Sequence, residues 1–504
     1  MIPSLLSGAA LVVCFPFFKA GPLAFVALVP FLVFLYGKSN RSAFFSGFLM
    51  GLPYFFGTNY WLYHSISKYG GVNIVASLLL VFLLSMYLSL YTGAFAWLYV
   101  SRIRNTSLPA MLIAPVLWVV IEYVRSFALT GYPYSLIGYT QYNFLRFIQI
   151  SDLTGVYGVS FLVVAVNGAI ADFFILKRRI AEKPLFHINP TISGYVLLIA
   201  ALSATMLYGS NRLAAEPAGR PLNTVIVQPN IEQNIKWDPA YQLSVLGSLE
   251  TLTRRSITPE TDLVIWPETA LPFYYERDRE NTGRFISFVK SISTPLLTGT
   301  ISVYSDKQEN ITLGNSSILM DKNGKESFRY DKVHLVPFGE YVPLKSIIGF
   351  IDKMVVGIGD YRAGNSYSTG KVSGRKFASV ICYEVAFPNL VRNFFKKDGD
   401  FLVIMTNDAW FGRTTGPYHH MAMSVFRAIE NRKPVLRAAN TGVSGVIDSR
   451  GIVVYTTDIF TSTAVSSTVN TDGRRSAYSR FGDLFIYLCS IVTIILIADL
   501  RRTH

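Results

Sequence analysis

Apolar residues dominate the first part of the chain in long runs, near residues 3–18, 20–37, 43–63, 74–100, 108–126, 154–176 and 191–209, and once more at 484–500. A helix needs about 17–25 such residues to cross a bilayer, so the pattern predicts about eight spans. The first run is short and broken by Pro16. It lacks a basic leader, and a second run follows at once, so it is expected to be retained as a span and not removed as a signal peptide. After the polar stretch Asn211–Pro221 the pattern changes to short β-rich runs punctuated by turns. Strands are expected at Thr224–Gln228, Leu263–Trp266, Leu296–Ile301, Ser316–Met320, Phe377–Cys382, Leu402–Thr406, Val435–Arg437 and Gly445–Ile447, with helices such as Arg284–Ile292 and Tyr418–Asn431 between them. Alternating strand and helix predicts a layered α/β domain. The expected organisation is therefore a helical membrane domain over 1–210, a linker over 211–221, an α/β domain over 222–475 and a last span over 484–500.

Charge orients this scheme. Lys38, Arg41, Arg102, Arg104, Lys177, Arg178, Arg179, Lys183, Arg501 and Arg502 all fall on one side if the spans alternate, against Lys19, Lys68, Arg125 and Arg146 on the other. By the positive-inside rule both termini are expected in the cytoplasm and the α/β domain outside. The formal net charge of +14 is distributed in these short clusters and not in one patch, which argues against nucleic acid as a partner. Hydrophobic residues make up 51% of the chain and charged residues 15%, a balance that fits a partly membrane-embedded protein better than a soluble one. Two features of the membrane half are ambiguous. The loop Arg125–Asp152 is rich in Tyr, Phe and Gly, and reads either as an interfacial aromatic belt or as a wall beside a site; Glu122 either snorkels or serves function.

Candidate chemistry lies in the α/β domain. Of three cysteines, Cys14 and Cys489 sit inside apolar runs, whereas Cys382 ends a strand-like run and is followed by Tyr383 and Glu384. An exported thiol without a partner in its own domain is a hazard unless its reactivity is used, although a buried inert cysteine is the commoner case. Glu268 follows the apolar run Leu263–Trp266, and Lys332 lies in the Pro- and Gly-broken segment Tyr330–Pro343. Loops beyond strand ends hold the sites of α/β sheets, so these three can converge. A carboxylate can take the proton of a thiol, and an ammonium favours the thiolate and the oxyanion it forms on attacking a carbonyl. Taken singly, each is also readable as an ordinary surface charge or salt-bridge partner.

At Trp266–Pro272 (WPETALP), Tyr330–Pro343 (YDKVHLVPFGEYVP), Ile381–Pro388 (ICYEVAFP) and Asn407–Gly412 (NDAWFG) the chain resembles the nitrilase superfamily. With eight expected spans and the stretch Gly416–Asp448, the whole is similar to its membrane-embedded apolipoprotein N-acyltransferase family. The resemblance implies an αββα sandwich outside the bacterial inner membrane. It implies Glu268 as general base, Lys332 as oxyanion stabiliser, Cys382 as nucleophile, Glu340 as the carboxylate holding Lys332, and the Tyr383 N–H as second oxyanion donor. Trp237, Glu384 and Asn407 match family positions that shape the pocket. Arg413 departs from the pattern, where an acidic residue is more usual, and this touches loop contacts only. The implied reaction is ping-pong: Cys382 takes the sn-1 acyl chain of a phospholipid, phosphatidylethanolamine by the resemblance, as a thioester, and the α-amino group of a diacylated apolipoprotein then accepts it. No metal or other cofactor is expected.

Other readings share some of these residues. A tethered nitrilase-type amidase would use the same triad with water as acceptor. A non-catalytic lipid-binding protein would be expected to have lost a member of it. His334, His419 and His420 raise a cysteine–histidine hydrolase, and the pair His419–His420 raises a metal site, though no third ligand stands at a recognisable spacing.

Overall fold

A computed structural model describes the chain except for residues 106–107, 183–188, 218, 306–310, 343–360, 397–398 and 501–504. Lys183, Arg501 and Arg502 of the orienting clusters therefore lie outside the described residues. Two compact units emerge. One comprises Met1–Tyr63, Asn73–Ala215 and the residues from Phe481 on; the other comprises Glu216–Arg480 together with His64–Val72.

The first unit is helical, and every predicted apolar run falls on helix. Among the described residues three helices are long and apolar enough to cross a membrane: Ile74–Ile103, Val156–Ile175 and Thr191–Ala214. Shorter apolar helices cover Ile2–Val13, Gly21–Leu35 and Leu484–Ala498. Small residues let the helices Asn40–Asn59 and Ile74–Asn105 approach closely: a Cβ on Gly47 would stand 2.3 Å from the Thr92 carbonyl oxygen. Large apolar side chains such as Val75, Leu79, Val196, Leu197 and Ile199 remain exposed, the surface expected of helices solvated by lipid. The helix Asn189–Ala214 runs into the predicted linker, whose first residues are thus helical.

The aromatic loop after the helix Ala110–Arg125 is partly core, with Phe127 and Phe144 left exposed. Tyr134, Tyr139 and Phe147 are buried inside the unit. Glu122 accepts from the Ile137 N–H at 2.8 Å, and Arg125 donates to the carbonyls of Tyr132, Tyr134 and Ser135. Both ionic residues hydrogen-bond the backbone of an irregular buried segment.

Among the described residues the second unit has twelve strands: β1 Arg220–Gln228, β2 Leu263–Ile265, β3 Leu296–Ser305, β4 Ile311–Met320, β5 Glu326–Asp331, β6 Thr369–Val372, β7 Arg375–Ile381, β8 Phe401–Thr406, β9 Val435–Ala439, β10 Gly445–Ile447, β11 Val453–Thr456 and β12 Thr463–Thr471. They form two six-stranded sheets, ordered β12-β1-β2-β3-β4-β5 and β11-β10-β9-β8-β7-β6. The inner strands β1–β2–β3 and β7–β8–β9 run parallel, joined by crossover helices that include Gln242–Ser256, Arg279–Ile292 and Gly416–Asn431. Alternate residues of each strand face opposite layers. Leu222, Ile226, Leu263 and Ile265 meet Phe377, Phe401, Val403 and Met405 between the sheets. Val225, Val264 and Trp266 pack outward on Leu246, Leu249, Phe285 and Phe288 of two helices. The second sheet is covered in turn by Pro388–Phe394 and by Gly416–Asn431, buried at every residue but Tyr418, which completes helix, sheet, sheet, helix. All eight predicted strands are present, several of them longer than expected. β5, β6, β11 and β12 were not expected; they are more polar and lie at or near sheet edges, where one face stays wet.

Candidate active site

Parallel inner strands leave their carboxyl ends together, and the candidate residues stand just beyond four strand ends. Glu268 follows β2, Lys332 follows β5, Cys382 follows β7 and Asn407 follows β8. β3 makes room for Glu268: a Cβ on Gly299 would lie 2.7 Å from the Glu268 Cα, so only glycine fits there.

Cys382 opens a tight turn, Cys382–Ala386, with φ of 52°. A non-glycine residue held left-handed carries strain that the surroundings must fix. Glu384 does this. Its carboxylate accepts from the Ile381 N–H at 2.7 Å, the Val333 N–H at 2.8 Å, the His334 N–H at 3.1 Å and the Tyr330 hydroxyl at 2.7 Å. One fully buried side chain thus ties the Cys382 turn to the loop that carries Lys332. Burial pushes its carboxyl up to about 7 against those donors. Glu384, expected to shape the pocket, has its carboxylate engaged by these four donors.

Lys332 is buried with two carboxylates. Its Nζ lies 3.0 Å from Glu340 and 4.0 Å from Glu268 Oε1. Burial works against its charge, but Glu340 and Glu268 outweigh it and hold the ammonium protonated well above the ordinary lysine value. Asn315, in mid β4, bridges the pair, donating to Glu268 Oε1 at 2.8 Å and Glu340 Oε1 at 2.9 Å. Glu340 also accepts from the Val336 N–H at 2.8 Å, and Glu268 Oε2 from the Asn407 N–H at 2.8 Å. Burial raises the Glu268 carboxyl above its ordinary value, Lys332 opposes this, and Glu340 reinforces it. The buried Cys382 thiol is pushed far up by burial and by Glu268, while Lys332 pulls the other way. The electrostatics thus couple a neutral thiol to a carboxyl of raised basicity and a fixed ammonium, groups of the kind that can activate a nucleophile.

Lys236 carried no signal in the sequence, unlike its neighbours Trp237, Asn407 and Tyr383. Lys236 is buried, and its Nζ donates to the Glu268 carbonyl at 3.1 Å and the Thr269 hydroxyl at 2.6 Å. Burial brings it down to about 8 against the attraction of Glu268. Trp237, the next residue, is half-buried with its ring 5.6 Å from that of Tyr274. Asn407 is buried and holds the site from below, donating from Nδ2 to Gln233 Oε1 at 2.6 Å and accepting from Asn440 at 3.0 Å. Tyr383 is buried against Phe387 and His334.

The histidines have other surroundings. The His334 ring packs on Phe387 at 4.0 Å, and burial and Lys332 bring it down to about 4. His419 and His420 lie in the buried helix, with His420 Nδ1 3.5 Å from Asp408 Oδ1. Among the described residues no group of three or more His, Cys, Asp or Glu is disposed to hold a metal ion.

Comparison with known proteins brings further findings. A family described as "Apolipoprotein N-acyltransferase N-terminal domain" matches residues 7–169, and "Carbon-nitrogen hydrolase" matches residues 225–478. The apolipoprotein N-acyltransferase of Geobacter metallireducens is 37% identical over 96% of this chain and 92% of its own length. That of Pasteurella multocida is 31% identical over 98% of this chain and 94% of its own. Among solved structures, Saccharomyces cerevisiae Nit3 of the nitrilase superfamily aligns over 51% of this chain and 93% of its own, at 20% identity and a TM-score of 0.39.

Proposed function

The chain belongs to the apolipoprotein N-acyltransferase family of the nitrilase superfamily, and from that premise we propose how its site moves an acyl chain onto an apolipoprotein. The donor is a phospholipid, with phosphatidylethanolamine as the specific reading, and the bond broken first is its sn-1 ester. Glu268 takes the thiol proton as Cys382 Sγ attacks the ester carbonyl. The oxyanion of the tetrahedral intermediate is met by the Lys332 ammonium and the Tyr383 N–H. Collapse expels the lysophospholipid alkoxide, which takes the proton back from Glu268, and leaves a thioester on Cys382.

In the second half the α-amino group of the diacylglyceryl cysteine attacks that thioester, Glu268 removes a proton from the nitrogen, and the Cys382 thiolate leaves and is reprotonated. A carboxyl raised above its ordinary value suits both halves, since it is a stronger base for the thiol and for the amine. Glu340 keeps Lys332 in place and charged, Asn315 and Asn407 aim the Glu268 oxygens, and the Trp237–Tyr274 pair offers an apolar wall to an acyl chain. Both substrates are lipids, so a helical unit with exposed apolar faces gives them a lateral route that a single anchor would not. In this reading the enzyme sits in the inner membrane with its sandwich on the periplasmic side and both termini in the cytoplasm.

The observation that carries the reading is the buried Glu268–Lys332–Glu340 group set against a thiol in a strained turn. Intact mass after incubation with phosphatidylethanolamine and no acceptor tests it. An added acyl mass that hydroxylamine removes, that Cys382→Ser abolishes and that a diacylated lipopeptide discharges is the expected result. Folded protein that never acquires the adduct would end it.

A further inference from the structure

The mechanism makes no use of His64–Val72, although this segment belongs to the same compact unit as the two sheets. In the chain it falls between the helices Asn40–Asn59 and Ile74–Asn105, far from the rest of that unit. Its Ser65–Tyr69 stretch forms a π-helical turn, a conformation uncommon enough to signal a local task.

Three consecutive features engage one short target. The His64 ring Nδ1 lies 3.2 Å from the Trp410 carbonyl, the Ser65 hydroxyl donates to the same carbonyl at 2.6 Å, and the Tyr69 hydroxyl donates to the Ala409 carbonyl at 3.1 Å. The Tyr69 and Trp410 rings meet edge to face at 4.7 Å. Gly412, at φ of 60°, closes against His64: a Cβ there would stand 2.5 Å from the imidazole Nε2.

The clasped turn, Asp408–Phe411, is the continuation of the residue that orients the base. Asn407 gives its N–H to Glu268 Oε2, and Asp408 takes the hydroxyl of Thr406, itself a neighbour of the Cys382 thiol. A turn of four residues with its carbonyls pinned on one side has little freedom to re-aim the N–H on the other.

We propose that His64, Ser65 and Tyr69 are positioning residues of the acyl-transfer site, clasping the Asp408–Phe411 turn so that the Asn407 N–H holds the Glu268 carboxylate in register with Cys382. The inference rests on the catalytic reading above, which fails separately if the wild type forms no thioester. It makes a loop between two apolar helices a working part of the active site.

The test uses the full-length chain and measures thioester formation with phosphatidylethanolamine over a range of donor concentrations. Ser65→Ala with Tyr69→Phe removes two donors and keeps the ring on Trp410. The double variant is expected to lower the rate at saturating donor by about tenfold or more, with half-saturation unchanged within about twofold and the melting temperature retained. Gly412→Ala disturbs the same contact from the other side and is expected to give the same signature. Wild-type saturating rates in both, or a change confined to half-saturation, would overturn the proposal. A rate loss matched by an equal loss of folded protein in both variants would also count against it.

Discussion

Two buried ionic clusters meet at the end of β8, and they have opposite characters. In one, Glu268 and Glu340 share the ammonium of Lys332, which lies closer to Glu340; Lys236 adds only a weaker attraction, and the Glu268 carboxyl is raised. In the other, Asp408 receives the Arg437 guanidinium at 2.8 Å, with His420 and the Thr406 hydroxyl alongside, and is lowered to about 2 despite its burial. Burial alone raises both; the ratio of carboxylates to cations decides the outcome. A carboxylate with a guanidinium of its own becomes an inert structural anion. One that must share a cation keeps its basicity, and only that kind can shuttle a proton.

The comparison can be broken from either side. Glu268→Gln should cost about a thousandfold or more in thioester formation with little loss of stability, since the amide fills the same space and a buried shared charge is removed. Asp408→Asn should do the reverse, costing about 3–5 kcal/mol in unfolding free energy by leaving Arg437 buried and unpaired, which a melting curve reads. The sign with pH follows from its lowered value: the stability that Asp408 contributes is full above its unfolded value of 3.8 and is lost as pH falls from there through about 2.

Smaller changes sharpen the point. Glu340→Gln leaves Lys332 to Glu268 alone, so the acid limb of the pH–rate profile should move to lower pH, with the rate falling about tenfold as the ammonium loses its anchor. Lys236→Met should move the same limb upward by less than about one pH unit, because its attraction is the weaker of the two cations acting on Glu268.

Much of this was legible in the chain. Strand ends and a Pro- and Gly-broken motif made Glu268, Lys332 and Cys382 candidates, but singly each also reads as an ordinary surface charge or salt-bridge partner, and it was the resemblance that gave them roles. Asn315 escaped notice because it stands inside a strand, where side-chain direction and not sequence decides what it meets. The partners of Glu384 were hidden for a related reason: adjacency to Cys382 says nothing about which way a side chain in a tight turn points. Lys236 is hidden beside the more conspicuous Trp237, and its burial depends on a distant strand end. Nothing in the run from His64 to Val72 announces that it joins the α/β unit, since hydropathy registers only that a span has ended.

The pH dependence of the rate of thioester formation, measured in wild type and Glu268→Gln, tests the central claim most directly. The account predicts a rate that falls as pH drops through a group titrating above the ordinary glutamate value of 4.5, and the loss of that limb in the variant. The same limb persisting in Glu268→Gln, or a wild-type rate that climbs only with alkaline ionisation of the thiol, would contradict it.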